Sequence, residues 1–312
     1  MSVRFPDYPP LRRLGVGMDL SWGSGFVHDP GRGDVASEGV VAFLRRHAAD
    51  FGHLFVSWQP RDRSELDARD YFPAFDDLFS RAGDGYPLRA LHHTALNLGA
   101  LEAYDRGPLL DLTRALVERY RFAWVNEDVG LWSIHGKPLP YPLPPYLSRG
   151  GLEATIRNVR EVSAALPVPL LAEFPGFSAG SALAVGDLHA YDFFRVLAEE
   201  ADVPVTLDTG HLLSYQWLRG RRGPALLEEL ERLPLGHCFE IHLSGCAIRG
   251  DRFLDLHHGI LLGEQLELLR RLLDVCPNAR AVTYEDPVFD AAGELSKETG
   301  ASLDALRDVA LA

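Results

Sequence analysis

The sequence predicts a closed (β/α)8 barrel, and three observations carry that expectation. Eight short apolar runs alternate with amphipathic stretches along the chain, which implies parallel strands joined by crossover helices. Each run is short enough to form one stave of a barrel. At 312 residues the chain exceeds the usual size of one domain, yet barrels of this class commonly reach such a length as one unit. Residues 1–312 are therefore read as a single domain.

In chain order the candidate staves are LGVGM (14–18), HLFVSW (53–58), LRALHHTAL (88–96), FAWVNE (122–127), PLLAEF (169–174), PVTLD (204–208), CFEIHL (238–243) and AVTYED (281–286). Between them, residues 35–51, 107–120, 150–166, 187–201 and 261–275 carry apolar side chains at three- and four-residue spacing, the period of an amphipathic helix. Two connections are long, at about 128–149 and 244–260. The first contains GLWSIHGKPLPYPLPPYLSRG (130–150), whose prolines and aromatic residues make it partly extended and stiff. The second contains SGCAIRGDRFLDLHHG (244–259), rich in ligand-type side chains. Both follow candidate strands, which places them on the C-terminal face where barrel active sites lie.

Composition excludes several classes. An apolar fraction of 46% and a charged fraction of 24% are ordinary for a globular chain. The net charge of −13 repels a phosphate backbone, so nucleic acid is not an expected partner. The one dense basic cluster, Arg219 to Arg222, is read as a solvated loop or a contact for an acidic partner. The start, MSVRFPDYPPLRR, lacks the apolar stretch of a secretory signal, and no segment is long and apolar enough to span a bilayer. Cys238, Cys246 and Cys276 form neither a CxxC pair nor an even framework. Together these point to the cytoplasm and to no membrane partner.

Ligand-type residues stand at or just past most of the strand ends. They are His92, Glu127 and Asp128, Glu173, Asp208 and His211, Glu240 and His242, Asp255 and His257, and Glu285. In a parallel barrel these positions converge on one mouth. Glu240 and His242 are two apart and so share a strand face. His93 must point away from His92 and is read as packing, and His53 and Cys246 as structural. Asp286 either faces the mouth or caps the turn before Pro287; Trp132 and Tyr141 are loop packing or substrate wall. Burying so many carboxylates together without cations would cost several kcal/mol for each unpaired charge. Carboxylate with imidazole suits Mn, Fe or Zn. No GxSxG elbow, P-loop or GxGxxG appears; GVGMDLSWGSG (15–25) lacks dinucleotide spacing.

The order of these motifs resembles the multinuclear non-heme iron-dependent oxidative enzymes of the MbnB/TglH type, which modify ribosomally made peptides. HHTALNLG (92–99) is similar to that family's third-strand motif, with His92 as the ligand. KPLPYPLPPYLSRGGLEATIRNVREV (137–162) resembles its PLP-containing segment and the helix after it. LLAEFPGF (170–177) and LDTGHLLS (207–214) look like the strands bearing a metal-binding Glu and Asp, here Glu173 and Asp208. FEIHLSG with the later DLHH is similar to EIHLAG and DTH, which makes Glu240, His242, Asp255 and His257 site residues. The resemblance spans about residues 90–286 and departs from the pattern at three places. Asp128 stands where the family has His, Phe174 where it has Asn, and His211 where Asn is usual.

The resemblance implies two or three irons in mixed Fe(II)/Fe(III) states, O2 as co-substrate, and a precursor peptide modified at a Cys or C-terminal residue. It also implies a separate peptide-recognition protein. His211 draws the pattern toward the wider xylose-isomerase-like barrels, where Asp-x-x-His is a metal motif. The rival reading is therefore a divalent-metal sugar isomerase or epimerase in which Glu173 or Glu285 moves the proton.

Overall fold

Eight parallel strands close into a barrel: β1 (Leu14–Asp19), β2 (Phe51–Trp58), β3 (Leu88–His93), β4 (Trp124–Asp128), β5 (Leu170–Glu173), β6 (Val205–Asp208), β7 (Cys238–Leu243) and β8 (Ala281–Glu285). They pair in sequence order, and β8 closes onto β1 through Gly15–Thr283 and Gly17–Glu285. The structure is a computed structural model that describes residues 3–20, 26–29, 33–58, 68–178 and 183–312. Residues 21–25 of the glycine-rich stretch lie outside the described residues.

All eight predicted staves are barrel strands, within a few residues at their ends. The expected helices are α1 (Glu38–His47), α3 (Gly107–Tyr120), α4 (Arg149–Ala165), α5 (Ala190–Ala201) and α7 (Gly263–Val275), joined by α2 (Ala68–Ala82), α6 (Thr209–Leu218) and α8 (Lys297–Ala310). The helical pattern read from residue 35 starts at Glu38 because Ser37 caps it, its side chain accepting from the Val40 N–H. Residues 33–36 instead pair as an antiparallel ribbon with Phe26–Asp29.

Both long connections are antiparallel ribbons. Leu131–Ile134 pairs with Lys137–Leu143, and Cys246–Arg249 pairs with Arg252–Asp255. The basic cluster that precedes the second ribbon is spoken for within the chain. Arg222 lies 3.6 Å over the Trp217 ring, Arg219 pairs with Glu229, and Arg221 stands 3.6 Å from Glu228.

The apolar core lies between strands and helices, while a smaller cluster of Phe55, Ala90, Trp124, Leu171, Phe239 and Ala281 fills the barrel interior. Phe5 and Tyr8 pack against this floor. Two glycines in β1 keep the interior open. A Cβ on Gly15 would sit 1.8 Å from the His53 ring, and one on Gly17 would sit 2.8 Å from Glu285 Cγ. The GVG in the first stave is therefore space for side chains from its neighbours.

Candidate metal centre

Parallel strands bring the ends of β3 to β8 to one mouth, and each contributes a side chain there. His92, Asp128, Glu173, Asp208, His242 and Glu285 are all buried. His211 joins them from the first turn of α6. Asp208 caps that helix, its Oδ1 accepting from the His211 N–H at 2.8 Å, so a single carboxylate ends the strand, starts the helix and leaves Oδ2 for the mouth. Asp255 and His257 reach over from the second ribbon and the turn after it.

These side chains form four linked groups: His92, Asp128 and Glu173; Glu173, Asp208 and His211; Asp208, His242 and Glu285; and His211, Asp255 and His257. Within each group the ligand atoms lie within 4.8 Å of one another. His92 Nε2 is 3.4 Å from Asp128 Oδ2 and 3.6 Å from Glu173 Oε2. His242 Nδ1 is 3.3 Å from both Glu173 Oε1 and Glu285 Oε1. His211 Nε2 is 3.2 Å from Asp255 Oδ2. Nitrogen and oxygen ligands sit about 2.0–2.2 Å from a first-row ion, so donor pairs a little over 3 Å apart have the spacing of neighbours on one ion. Glu173, Asp208 and His211 each belong to two groups.

Electrostatics show what the set lacks. Burial pushes the Glu285 carboxyl up to about 8 and that of Asp208 to about 6, against the pull of nearby imidazoles. Burial alone would also favour neutral Glu173, but His242, His92 and His211 outweigh it and hold it at about 2. Burial disfavours the His92 cation, and Asp128, Glu173 and Glu285 overcome this to raise it to about 9. Protons thus balance the crowded carboxylates. Asp208 Oδ2, His92 Nε2 and His242 Nδ1 are buried with no hydrogen-bond partner. Orphaned, convergent donors of mixed carboxylate and imidazole type fit a first-row cation.

Two of the expected ligands do not join these groups. Glu127 faces the opposite side of β4 from Asp128 and accepts from the N–H groups of Leu96 at 3.0 Å and Asn97 at 2.8 Å, with Ala95 at 3.4 Å. Its carboxylate also stands 3.4 Å from His93 Nδ1, so the two residues pointing away from the mouth meet each other. Glu240 shares the face of His242 but lies one layer deeper, at the barrel floor. It accepts from Trp124 Nε1 at 2.8 Å and from Thr283 Oγ1, and the His53 ring that Tyr8 and Thr283 hold lies 3.6 Å away. Its Oε1 is 3.3 Å from His242 Nε2, so it braces the ring from beneath.

The structure adds Asn126, which was not singled out, and gives Asp286 its contacts. Asn126 donates to Glu173 and accepts from Thr206; standing two residues before Asp128, it shares that residue's strand face. Asp286 accepts from the Asp19 N–H at 2.7 Å and pairs with His257 Nδ1 at 2.8 Å. Above the groups lies a cavity of about 460 Å³ whose wall includes Trp132, Tyr141, Pro142, Arg252, Leu254 and Leu256. This volume suits a small molecule or a short peptide segment.

Comparison with known proteins places this arrangement. A family model described as RiPP precursor modification enzyme MbnB/TglH/ChrH matches residues 65–305. A UPF0276 protein of Paraburkholderia phytofirmans is 31% identical over 169 residues, 52% of this chain and 50% of that protein. One from Streptomyces avermitilis is 27% identical, over 67% of this chain and 43% of its own length. The chain thus spans about half the length of the curated relatives it matches. Among solved structures, the D-psicose 3-epimerase of Clostridium cellulolyticum H10 superposes with a TM-score of 0.55 at 13% identity, covering 95% of this chain and 99% of that one. A xylose isomerase-like TIM barrel protein from Mycobacterium smegmatis, solved with magnesium, gives 0.53 at 14% identity over 98% of each chain. At such identities the likeness establishes the xylose-isomerase-like barrel fold and nothing further.

Proposed function

The chain belongs to the MbnB/TglH/ChrH family of RiPP precursor modification enzymes, and on that premise we propose that it is a multinuclear iron-dependent oxidase acting with O2 on a precursor peptide, at a Cys or C-terminal residue. The observation that carries this reading is the linkage of the groups: Glu173 and Asp208 each stand in two of them, so adjacent ions would share carboxylates. His92, Asp128, Glu173, Asp208, His211, His242, Asp255, His257 and Glu285 are the residues proposed to hold two or three irons. Glu127 and Glu240 act as supports. Iron bound there supplies one-electron chemistry toward O2 and an affinity for a substrate thiolate.

The remaining work falls to the chain. Trp132, Tyr141 and Pro142 form a stiff wall for the peptide, and the buried strand ends keep bulk water from the reacting atoms. Arg252 is exposed at the cavity and has no acidic partner among the described residues, so it is placed to receive a peptide carboxylate. A separate recognition protein is part of the proposal, as is a cytoplasmic setting in which the free cysteines Cys238, Cys246 and Cys276 stay reduced. No helix among the described residues is long and apolar enough to cross a membrane.

Incubating the iron-loaded chain with O2 and the short peptides encoded beside its gene tests the proposal. A mass change confined to a Cys or C-terminal residue, with matching O2 uptake, is the expected result. Solvent exchange of a carbon-bound hydrogen in a ketose, with no O2 consumed, would instead support the sugar-isomerase reading.

A further inference from the structure

The rim group His211, Asp255 and His257 differs from the deeper ones in how its ligands are held. Asp255 turns Oδ2 toward both rings, 3.2 Å from His211 Nε2 and 3.6 Å from His257 Nε2. Each of the three side chains has a second partner behind it. Ser244 Oγ donates to Asp255 Oδ1 at 3.0 Å, His211 Nδ1 meets the Phe174 carbonyl at 2.7 Å, and His257 Nδ1 meets Asp286 Oδ2 at 2.8 Å. A carbonyl accepts only, so the proton of His211 sits on Nδ1, and a carboxylate fixes His257 in the same way. Both rings are left with Nε2 facing Asp255.

The Asp286 contact stands apart because it is built at a conformational cost. His257 and Asp286 both adopt the left-handed backbone region, with φ of 46° and 49°, where residues other than Gly, Asn and Asp are uncommon. Asp286 is locked there by its own N–H, which donates to the Gly17 carbonyl at 3.0 Å, and by its Oδ1, which accepts from the Asp19 N–H at 2.7 Å. The eighth strand end is thereby tied to the first, and the remaining oxygen points at His257. The His257 side chain is 43% exposed, and its ring nitrogen Nδ1 is held by Asp286.

We infer that Asp286 is a positioning residue that aims His257 Nε2 at the rim group and thereby sets the affinity of that one metal position. This rests on the metal reading above. Outer partners of ligating imidazoles are worth about 10–100-fold in metal affinity, and the deeper groups contain neither residue.

Substitution at Asp286 separates the carboxylate from the backbone. Asp286→Gly keeps the left-handed conformation at no steric cost but removes the acceptor. Asp286→Asn keeps the conformation, since Asn tolerates this region, but its one carbonyl oxygen can serve only one of the two donors, the Asp19 N–H or His257 Nδ1. The full chain, purified without metal, is titrated with Co(II) under anaerobic conditions, following bound metal by mass spectrometry and the visible cobalt bands. The wild type is expected to show tight equivalents and one weaker one. Asp286→Gly should weaken that one about 10–100-fold while the tight equivalents and their bands stay as they were, and Asp286→Asn, which can keep only one of the two contacts, should fall between the wild type and Asp286→Gly. Equal loss from every equivalent, or unchanged binding in Asp286→Gly, overturns the inference alone. A wild-type chain that binds no Co(II) overturns the metal reading and the inference with it.

Discussion

Asp208→Asn is expected to leave the barrel folded and remove peptide turnover. Asp208 belongs to two of the linked groups and caps α6 through Oδ1. Asn is as good a cap as Asp, so the helix start survives. The carboxylate, whose Oδ2 is buried without a partner, does not. Loss of an outer partner alone costs about 10–100-fold, so loss of a shared ligand should exceed about 100-fold in turnover and lower the metal content. Asp208→Ala adds the loss of the cap, about 1 kcal/mol. Iron content and turnover are measured together with the melting temperature of each variant. Wild-type iron and wild-type turnover in Asp208→Asn would remove this residue from the site.

Glu127→Ala should give the opposite result, a large loss of stability with the metal set intact. Its carboxylate is fully buried and satisfies the N–H groups of Leu96 and Asn97, with Ala95 a longer third. Truncation leaves the Leu96 and Asn97 donors without an acceptor, at about 1–3 kcal/mol for each buried unsatisfied group, while the Ala95 N–H keeps His93 Nδ1 at 3.2 Å. A total of about 2–6 kcal/mol is expected from urea unfolding. The donors lie on the turn where Asn97 takes φ of 57°, so the turn after His92 loses its clamp. Metal binding should fall only to the extent that folding does. A Glu127→Ala chain that is fully stable yet lacks one iron would return Glu127 to the ligand set.

Both predictions turn on how strand alternation reads in the sequence. The rule that sets His93 opposite His92 applies equally to Glu127 and Asp128, and it puts Glu127 against His93 at 3.4 Å. Two acidic residues in a row look alike as letters; only the side of the strand separates them. Glu240 stands outside the four groups for a different reason. Its face is right, but two residues along a strand is a drop of about 6–7 Å, enough to take it from the mouth to the floor. Depth along a stave is invisible until the barrel closes and the floor is seen to hold Trp124, Thr283 and His53.

The staves were legible because apolar runs of that length, separated by amphipathic stretches, admit few other arrangements. Helix α6 was hidden because TGHLLSYQWL is buried over its first eight residues, so it shows no polar face and no three- or four-residue period. The Pro-rich stretch was read as extended, and it is; its pairing into a ribbon depends on register, which proline content alone does not give. Asp286 was open between two roles because the left-handed turn that lets it reach His257 is set by tertiary contacts with Gly17 and Asp19.

The central claim is that the linked groups form one multinuclear iron site. Metal content per chain tests it most directly, by plasma mass spectrometry on protein produced with iron supplementation and purified without oxygen. Two or three irons per chain are expected. One or two Mn, Zn or Co ions with negligible iron would contradict the claim.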